Sequence, residues 1–198
     1  MSENKLFIPV LLGTPRKGRQ SERVAKWLLG KIEERADEIE TRLFDVRDFH
    51  LPNDDYGMET KDNFPEWRDA MIRADGLVIV TPEYNHGYPG TLKAVLDLLL
   101  PEYIHKAVAF AAVSAQVWGG VRVIEALVQT SRELGFAVTF TDLNFPRVHT
   151  LFDENGNLID EKAYESRTKA FLDELIWMSK TLRWGRENLP SKYHSSKK

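Results

Sequence analysis

The sequence predicts an α/β fold in which a five-stranded parallel sheet carries helices on both faces. Strand-like and helix-like segments alternate along the chain, and parallel strands require such crossover connections. Residues 77–80 and 108–113 are almost entirely apolar, which is typical of central strands covered on both sides. With 198 residues, the chain is long enough for one domain of this class and short for two. We therefore expect a single domain over residues 1–198, with its core at about 5–141.

Hydrophobic periodicity places each element of this fold. Residues 21–36, for example, carry Val24, Leu28 and Ile32 on one helical face, and Gly135 is suited to end a helix. The expected strands cover residues 6–12, 41–46, 75–81, 108–113 and 136–140. The expected helices cover residues 21–36, 64–73, 90–100, 119–134 and 161–184.

The C-terminal part departs from this alternation. A tight turn is expected at 151–158, where apolar residues flank Asn155 and Gly156. A calcium loop is the alternative, but its glycine would fall too early, and Tyr164 occupies the position of the closing glutamate. The turn and a long helix together span 150–185, and we expect 186–198 to form a flexible tail.

Composition excludes several classes of function. The net charge of -3 and the pI near 6.0 argue against nucleic acid or an anionic membrane as a partner. The chain has no cysteine, so any redox function requires a bound cofactor. The five histidines show no pair at metal-ligand spacing, and we expect no metal. The apolar runs are too short for a membrane helix and the N-terminus lacks a signal-peptide profile, so we expect a cytoplasmic protein.

The loop after the first strand, residues 13–21, is suited to a phosphate. It offers hydroxyl groups from Thr14 and Ser21, guanidinium groups from Arg16 and Arg19, and the N-terminus of the following helix. It matches neither G-x-G-x-x-G nor a glycine-rich run ending in G-K-[ST]. The alternative is a solvated basic loop that only caps the helix.

The loop after the third strand, residues 81–90, is suited to a planar ligand. Tyr84 can lie along a ring system, and Asn85 with neighbouring backbone N–H groups can contact polar ring edges. Glu83 caps the turn or points to water. The alternative is an ordinary connecting loop in which Asn and Gly serve turn geometry. His86 is more typical of a surface or subunit contact than of an acid–base group.

A third loop, residues 114–120, follows the fourth strand. Gly119 and Gly120 allow backbone N–H groups to approach a ligand, where they could hold the pyrimidine end of a flavin. Glycines needed only for close helix packing are the alternative, and Trp118 could be core, rim or partner contact.

The three loops converge on one edge of the predicted sheet. An anionic end and a planar end together outline a flavin mononucleotide, FMN.

These residues resemble the NADPH-dependent FMN reductase family, whose flavodoxin-like members include quinone, azo-dye and chromate reductases. The resemblance covers residues 6–140. It rests on Gly13-Thr14-x-Arg16-x-Gly18 followed by Ser21, on Pro82-Glu83-Tyr84-Asn85 with Pro89-Gly90-x-Leu92-Lys93, and on Ser114 with Gly119-Gly120. It implies a flavodoxin-like three-layer sandwich with strand order 2-1-3-4-5.

The resemblance also implies roles for individual residues. Two positions depart from the family pattern, because many relatives have Gly in place of Gln116 and some have a small hydroxyl residue in place of Arg19. The FMN phosphate would be held by Thr14, Arg16 and Ser21, with Arg19 and Gln20 as further candidates. The isoalloxazine ring would be lined by Pro82, Glu83, Tyr84 and Asn85, and its other edge would meet Ser114, Gly119 and Gly120.

The implied activity is that of an FMN-dependent oxidoreductase. Hydride would pass from NAD(P)H to flavin N5 and then, by a ping-pong mechanism, to a small-molecule acceptor such as a quinone, free flavin or azo compound. No side chain is required as a catalyst. The alternatives are a flavodoxin-like electron carrier, which is usually strongly acidic, and a flavin-binding sensor without turnover.

The resemblance further implies homodimers or homotetramers with the flavin near a subunit boundary. Residues 92–100 are apolar over more than one helical face, with Leu96, Leu98, Leu99 and Leu100 nearly contiguous. This helix is either packed between the sheet and the C-terminal helix or part of a two-fold contact between copies. We expect a dimer or a dimer of dimers.

Overall fold

The computed structural model describes residues 5–51 and 60–194, and it contains the predicted parallel sheet. Three of the five expected strands are each divided into two short segments. Pro9, which has no N–H group for a sheet hydrogen bond, separates the halves of the first strand. The strands are β1 (Leu6–Phe7), β2 (Val10–Leu12), β3 (Ile39–Glu40), β4 (Leu43–Asp45), β5 (Gly76–Pro82), β6 (Ala107–Val113), β7 (Ala137–Val138) and β8 (Leu143–Phe145).

All strand pairs are parallel, and their order confirms the expected topology. β1 pairs with β3, β2 lies between β4 and β5, and β6 pairs with β5 on one side and with β7 and β8 on the other. With the divided strands joined, the order is 2-1-3-4-5. The fifth strand differs from the prediction, because the chain leaves the sheet after β7 and Phe140 is 93% exposed.

Within the described ranges, five α-helices cover the two faces of the sheet. The third is shorter than the predicted 90–100, because the chain turns after Leu96 and so places Leu98 and Leu99 in the core. The fifth continues to Asn188, beyond the predicted 184. The helices are α1 (Ser21–Glu33), α2 (Pro65–Arg73), α3 (Gly90–Leu96), α4 (Val121–Glu133) and α5 (Lys162–Asn188).

A separate hydrophobic core lies on each face of the sheet. Successive strand residues point to opposite faces, so Leu11 and Ile79 pack with α2, α3 and α4, whereas Val78 and Val80 pack with α1 and α5. The buried leucines of the α3 region belong to the first core. The alternative that this helix packs between the sheet and the C-terminal helix is therefore wrong, because its buried leucines belong to the core that contains α2 and α4, whereas α5 belongs to the other core.

The C-terminal turn is confirmed. Phe152 and Leu158 form an antiparallel bridge, Gly156 has φ +85°, and the Asp153 carboxylate accepts a 2.8 Å hydrogen bond from the Asn157 N–H. Ser191 and His194 form a further bridge beyond α5, and the rest of the expected tail, 195–198, lies outside the described residues. Among the helices of the described ranges, none is both long and apolar enough to cross a membrane.

Candidate cofactor site

The three candidate loops follow β2, β5 and β6, which are neighbours in the sheet, and hydrogen bonds join them directly. The Thr14 hydroxyl lies 3.2 Å from the Tyr84 hydroxyl, which links the first loop to the second. The Arg122 N–H donates to the Glu83 carboxylate at 3.2 Å, which links the second loop to the helix that follows the third. The loops therefore form one continuous rim at the carboxyl edge of the sheet.

The first loop presents hydroxyl groups and free helix N–H groups. Thr14 and Ser21 are both buried, and the Ser21 Oγ has no hydrogen-bond partner among the residues that the structure describes. Gln20 precedes α1 without donating or accepting a side-chain cap, and its amide donates instead to the Gly18 carbonyl at 3.3 Å. Because the first N–H groups of a helix have no partner within it, this end can take an anion.

Arg16 and Arg19 have different surroundings. Arg16 is exposed, and its guanidinium carbon lies 5.5 Å from the centre of the Tyr84 ring. The Arg19 side chain is only 3% exposed. It donates to the Thr14 carbonyl, to both carboxylate oxygens of Asp45, and to Glu22 at 3.3 Å. The Arg19 guanidinium group, which was a candidate for contacting the phosphate, therefore donates its hydrogen bonds to other protein atoms.

The Arg19–Asp45 pair is charged on both sides. Burial disfavours the charged form of Arg19, but hydrogen bonds to Asp45 and Glu22 outweigh it and hold the pKa of Arg19 above its ordinary value. Burial also raises the pKa of Asp45. Hydrogen bonds from Arg19 and the Arg47 N–H lower it by more, so the pKa of Asp45 lies below its ordinary value.

The second loop ends in a tight turn. Tyr84 and Gly87 exchange backbone hydrogen bonds of 2.9 and 3.0 Å, and Asn85 and His86 between them have φ of +50° and +69°. Two consecutive residues of positive φ are typical of a type I′ turn, in which Asn is favoured. Both side chains of this tip are exposed. Glu83 precedes this turn, and its carboxylate accepts a hydrogen bond from the Arg122 N–H in the first turn of α4.

In the third loop, both glycines are left-handed and closely packed. Gly119 has φ +63° and Gly120 has φ +84°. A Cβ added to Gly120 would lie 2.7 Å from the Ala112 Cβ, so close packing alone already requires glycine there. The Ser114 hydroxyl accepts a 3.0 Å hydrogen bond from the Gln116 N–H and so stabilises the loop itself.

Two residues that sequence reasoning did not select, Asp45 and Arg47, also belong to this rim. Both lie where β4 ends, beside β2 in the sheet. Arg47 donates to the carbonyls of Pro15 and Arg16, at 3.1 and 2.8 Å. The expected strand order could have indicated them, because it places the end of the second strand next to the first loop.

A second cluster of buried charges lies at the opposite edge of the sheet. Asp75, which precedes β5, accepts from Arg183 and Arg186 of α5 and from the Phe7 N–H. Lys106, which precedes β6, donates to the Ile72 carbonyl at 3.0 Å, and burial lowers its pKa to about 7. These contacts attach α2 and α5 to the amino ends of the strands and do not reach the three loops.

Comparison with known proteins gives relatives that match over part of the chain. An NADPH azoreductase of Bacillus sp. (strain OY1-2) is 34% identical over 121 residues, which cover 60% of this chain and 64% of the relative. A quinone reductase of Escherichia coli (strain K12) is 38% identical over 130 residues, which cover 62% of this chain and 66% of the relative. The chain thus spans slightly less than two thirds of the length of both relatives.

A solved structure is similar over nearly the whole chain. FerB, a flavoenzyme NAD(P)H:(acceptor) oxidoreductase from Paracoccus denitrificans, has a TM-score of 0.72 and 22% sequence identity, covering 88% of this chain and 98% of FerB. This similarity confirms the flavodoxin-like fold. The family model described as NADPH-dependent FMN reductase matches residues 7–150, which contain all three loops. The match confirms the resemblance found in the motifs, and the chain belongs to the NADPH-dependent FMN reductase family.

Proposed function

We propose that this protein binds FMN at the rim formed by the three loops and transfers electrons from NAD(P)H to a quinone, an azo compound or a free flavin. One observation carries the proposal. The buried, unpartnered Ser21 hydroxyl and the Tyr84 ring lie on loops that the Thr14–Tyr84 hydrogen bond joins into one unit. An anion site and an aromatic ring on two joined loops suit a ligand with a phosphate at one end and a ring at the other.

The residues of the first loop fit the phosphate end. The Ser21 hydroxyl can donate to a phosphate oxygen, and the Thr14 hydroxyl lies at the junction with Tyr84. The exposed Arg16 supplies positive charge, and the Gln20 amide lies at the start of α1. The N–H groups of the first helical turn and the helix dipole add to these interactions.

The second and third loops fit the ring end. We place the ring between the segment Pro82–Asn85 and the segment that contains Ser114, Gly119 and Gly120. When bound there, FMN supplies the hydride acceptor, whereas the protein orients the ring and limits its contact with water. The exposed amide of Asn85 and the backbone of the two glycines provide polar groups for the ring edges.

The proposed acceptors follow the chemistry named in the relatives, an NADPH azoreductase and a quinone reductase. We also propose a cytoplasmic homodimer or homotetramer. Val117, Trp118 and Val121 are exposed beside the third loop, and Trp118 is 60% exposed. A second copy that covers these side chains would close the outer side of the ring site. Three leucines of the α3 region, Leu96, Leu98 and Leu99, give no support to such a contact because they are buried within the chain, whereas Leu100 is 50% exposed.

Steady-state kinetics with NADPH and a benzoquinone test this function. We expect parallel double-reciprocal lines, because NADP⁺ leaves before the quinone enters, and we expect the flavin-free protein to be inactive until FMN is added. Bound FMN that NADPH does not reduce would contradict the proposal and favour a sensor. Reduction by NADPH without reoxidation by any quinone or azo dye would favour an electron carrier.

A further inference from the structure

We propose that Arg19, Asp45 and Arg47 are positioning residues, which shape the first loop for the phosphate without contacting the phosphate themselves. The inference rests on the proposed FMN site. It assigns to Arg19 a role different from the direct contact that the family resemblance implies, and it gives a role to two residues outside the family motif. We refer to Arg19, Asp45 and Arg47 as the loop clamp.

The first part of the loop clamp is the buried pair of Arg19 and Asp45. Both terminal nitrogens of Arg19 donate to Asp45, and one of them also donates to the Thr14 carbonyl. The remaining nitrogen, Nε, donates to Glu22. With a side chain that is 3% exposed, Arg19 has its donors directed at the protein and not at the open side of the loop.

The second part is Arg47, which comes from the turn after β4. Its Nε donates to the Pro15 carbonyl and its terminal nitrogen to the Arg16 carbonyl. Its backbone N–H donates to Asp45 at 3.0 Å, so the same carboxylate positions both arginines. Together, Arg19 and Arg47 hold the carbonyl groups of three successive residues, 14, 15 and 16.

This arrangement directs N–H groups towards the site. In a trans peptide the N–H points away from the preceding carbonyl, so the N–H groups of Arg16 and Lys17 face the side opposite Arg47. The Arg16 N–H donates to the Thr14 Oγ1 at 3.4 Å, and this hydroxyl group also contacts Tyr84. Successive N–H groups that converge in a loop form an anion-binding concavity. The loop clamp therefore prepares this concavity before the ligand arrives, which reduces the ordering cost of binding.

Removing the charge of Asp45 distinguishes positioning of the loop from direct binding of the phosphate, because the two roles predict opposite changes in FMN affinity. A carboxylate near a phosphate repels it, and Asp45 also holds the Arg19 guanidinium group away from the ligand. If Arg19 and Arg47 bound the phosphate directly, removing the charge of Asp45 would leave FMN affinity unchanged or increase it. If the three residues position the loop, the same change weakens FMN binding.

The experiment compares Asp45→Asn with the wild type, with FMN and riboflavin affinities measured by quenching of flavin fluorescence. We expect FMN to bind about tenfold more weakly to the variant, because charge-assisted hydrogen bonds to the loop are lost, and riboflavin affinity to be unchanged. Asp48→Asn is the matched control, since Asp48 is an exposed carboxylate in the same turn and its removal should not weaken FMN binding.

Arg47→Lys and Arg47→Ala give a second, independent test, because Arg47 is partly exposed and its replacement should not impair folding. Lys keeps the charge but not the fork that spans two carbonyls, so positioning predicts weaker FMN binding in both variants. Wild-type affinity in Arg47→Lys would overturn the inference, as would unchanged or tighter FMN binding in folded Asp45→Asn. If the wild type binds no FMN, the proposed function fails, and the inference fails with it.

Discussion

The hydroxyl groups of Thr14 and Tyr84 lie 3.2 Å apart, although 70 positions separate the two residues in the chain. Thr14 belongs to the loop that we assign to the phosphate, and Tyr84 to the loop that we assign to the ring. This contact joins the two ends of the proposed site, so we expect a substitution at one end to alter the binding of FMN at the other.

Tyr84→Phe tests this coupling. The variant keeps the aromatic ring and loses the hydrogen bond to Thr14, which contributes roughly 0.5–1.5 kcal/mol. We expect FMN affinity to fall by about two- to tenfold. Tyr88→Phe is the control, because it loses a similar 2.7 Å contact from the same loop that leads to Thr130 of α4 and not to the first loop. Equal FMN affinities in Tyr84→Phe and wild type would show that the contact does not shape the site.

Arg16→Ala tests the charge at the phosphate end. A charge-assisted hydrogen bond contributes ~1.5–3 kcal/mol, so we expect FMN affinity to fall by roughly one to two powers of ten while riboflavin affinity is unchanged. Lys17→Ala removes an adjacent, exposed positive charge and is the matched control. Similar losses in both variants would mean that the loop attracts FMN only by its general charge.

Gly120→Ala tests the conformation of the third loop. A left-handed residue other than glycine costs roughly 1–2 kcal/mol, and the new methyl group would overlap Ala112, so we expect a lower free energy of unfolding in urea. Gly30→Ala, in the exposed part of α1 with no atom near the added Cβ, should instead raise it by roughly 0.5–1 kcal/mol. A Gly120→Ala variant with the same free energy of unfolding as the wild type would contradict the close packing of Gly120 against Ala112.

Asp142 makes stability depend on pH. Burial raises the pKa of this carboxyl to about 6, and its Oδ1 has no hydrogen-bond partner within the described ranges. Because the folded-state pKa lies above the unfolded value, this group favours the folded state at low pH, and that contribution is lost as pH rises through about 6.

We therefore expect Asp142→Asn to be more stable than wild type at neutral pH and to lose this advantage near pH 4, as measured by urea unfolding at both values. Asp37→Asn, which removes an exposed carboxylate, is the control for the loss of one negative charge. An advantage of Asp142→Asn that is the same at both pH values would exclude ionisation of Asp142 as its cause.

The fold could be predicted because its signals are local. The apolar segments 77–80 and 108–113 are central strands as expected, and helical periodicity located α1 and α4. The end of α3 could not be predicted, because it depends on the burial of Leu98 and Leu99 in the core on that face of the sheet, which periodicity does not show. Periodicity likewise does not show that the chain leaves the sheet at Phe140.

The candidate site could be predicted only as a set of loops. Motifs identified residues 13–21, 82–85 and 114–120, and the structure brings these loops to one edge. The partners within the site are separated by long stretches of chain, as in Arg19 with Asp45 and Glu83 with Arg122. Local sequence offered Arg19 as a further candidate for the phosphate, but it could not show the hydrogen bonds that Arg19 makes to Asp45 at the end of β4.

The central claim is that the first loop holds the phosphate of a bound FMN. Its most direct test is equilibrium titration of the flavin-free protein with FMN and with riboflavin, which has the same ring and no phosphate. We predict FMN binding at micromolar concentration or below and riboflavin binding at least tenfold weaker, as expected for the loss of charge-assisted hydrogen bonds. Equal affinities for the two flavins, or no binding of FMN, would contradict the account.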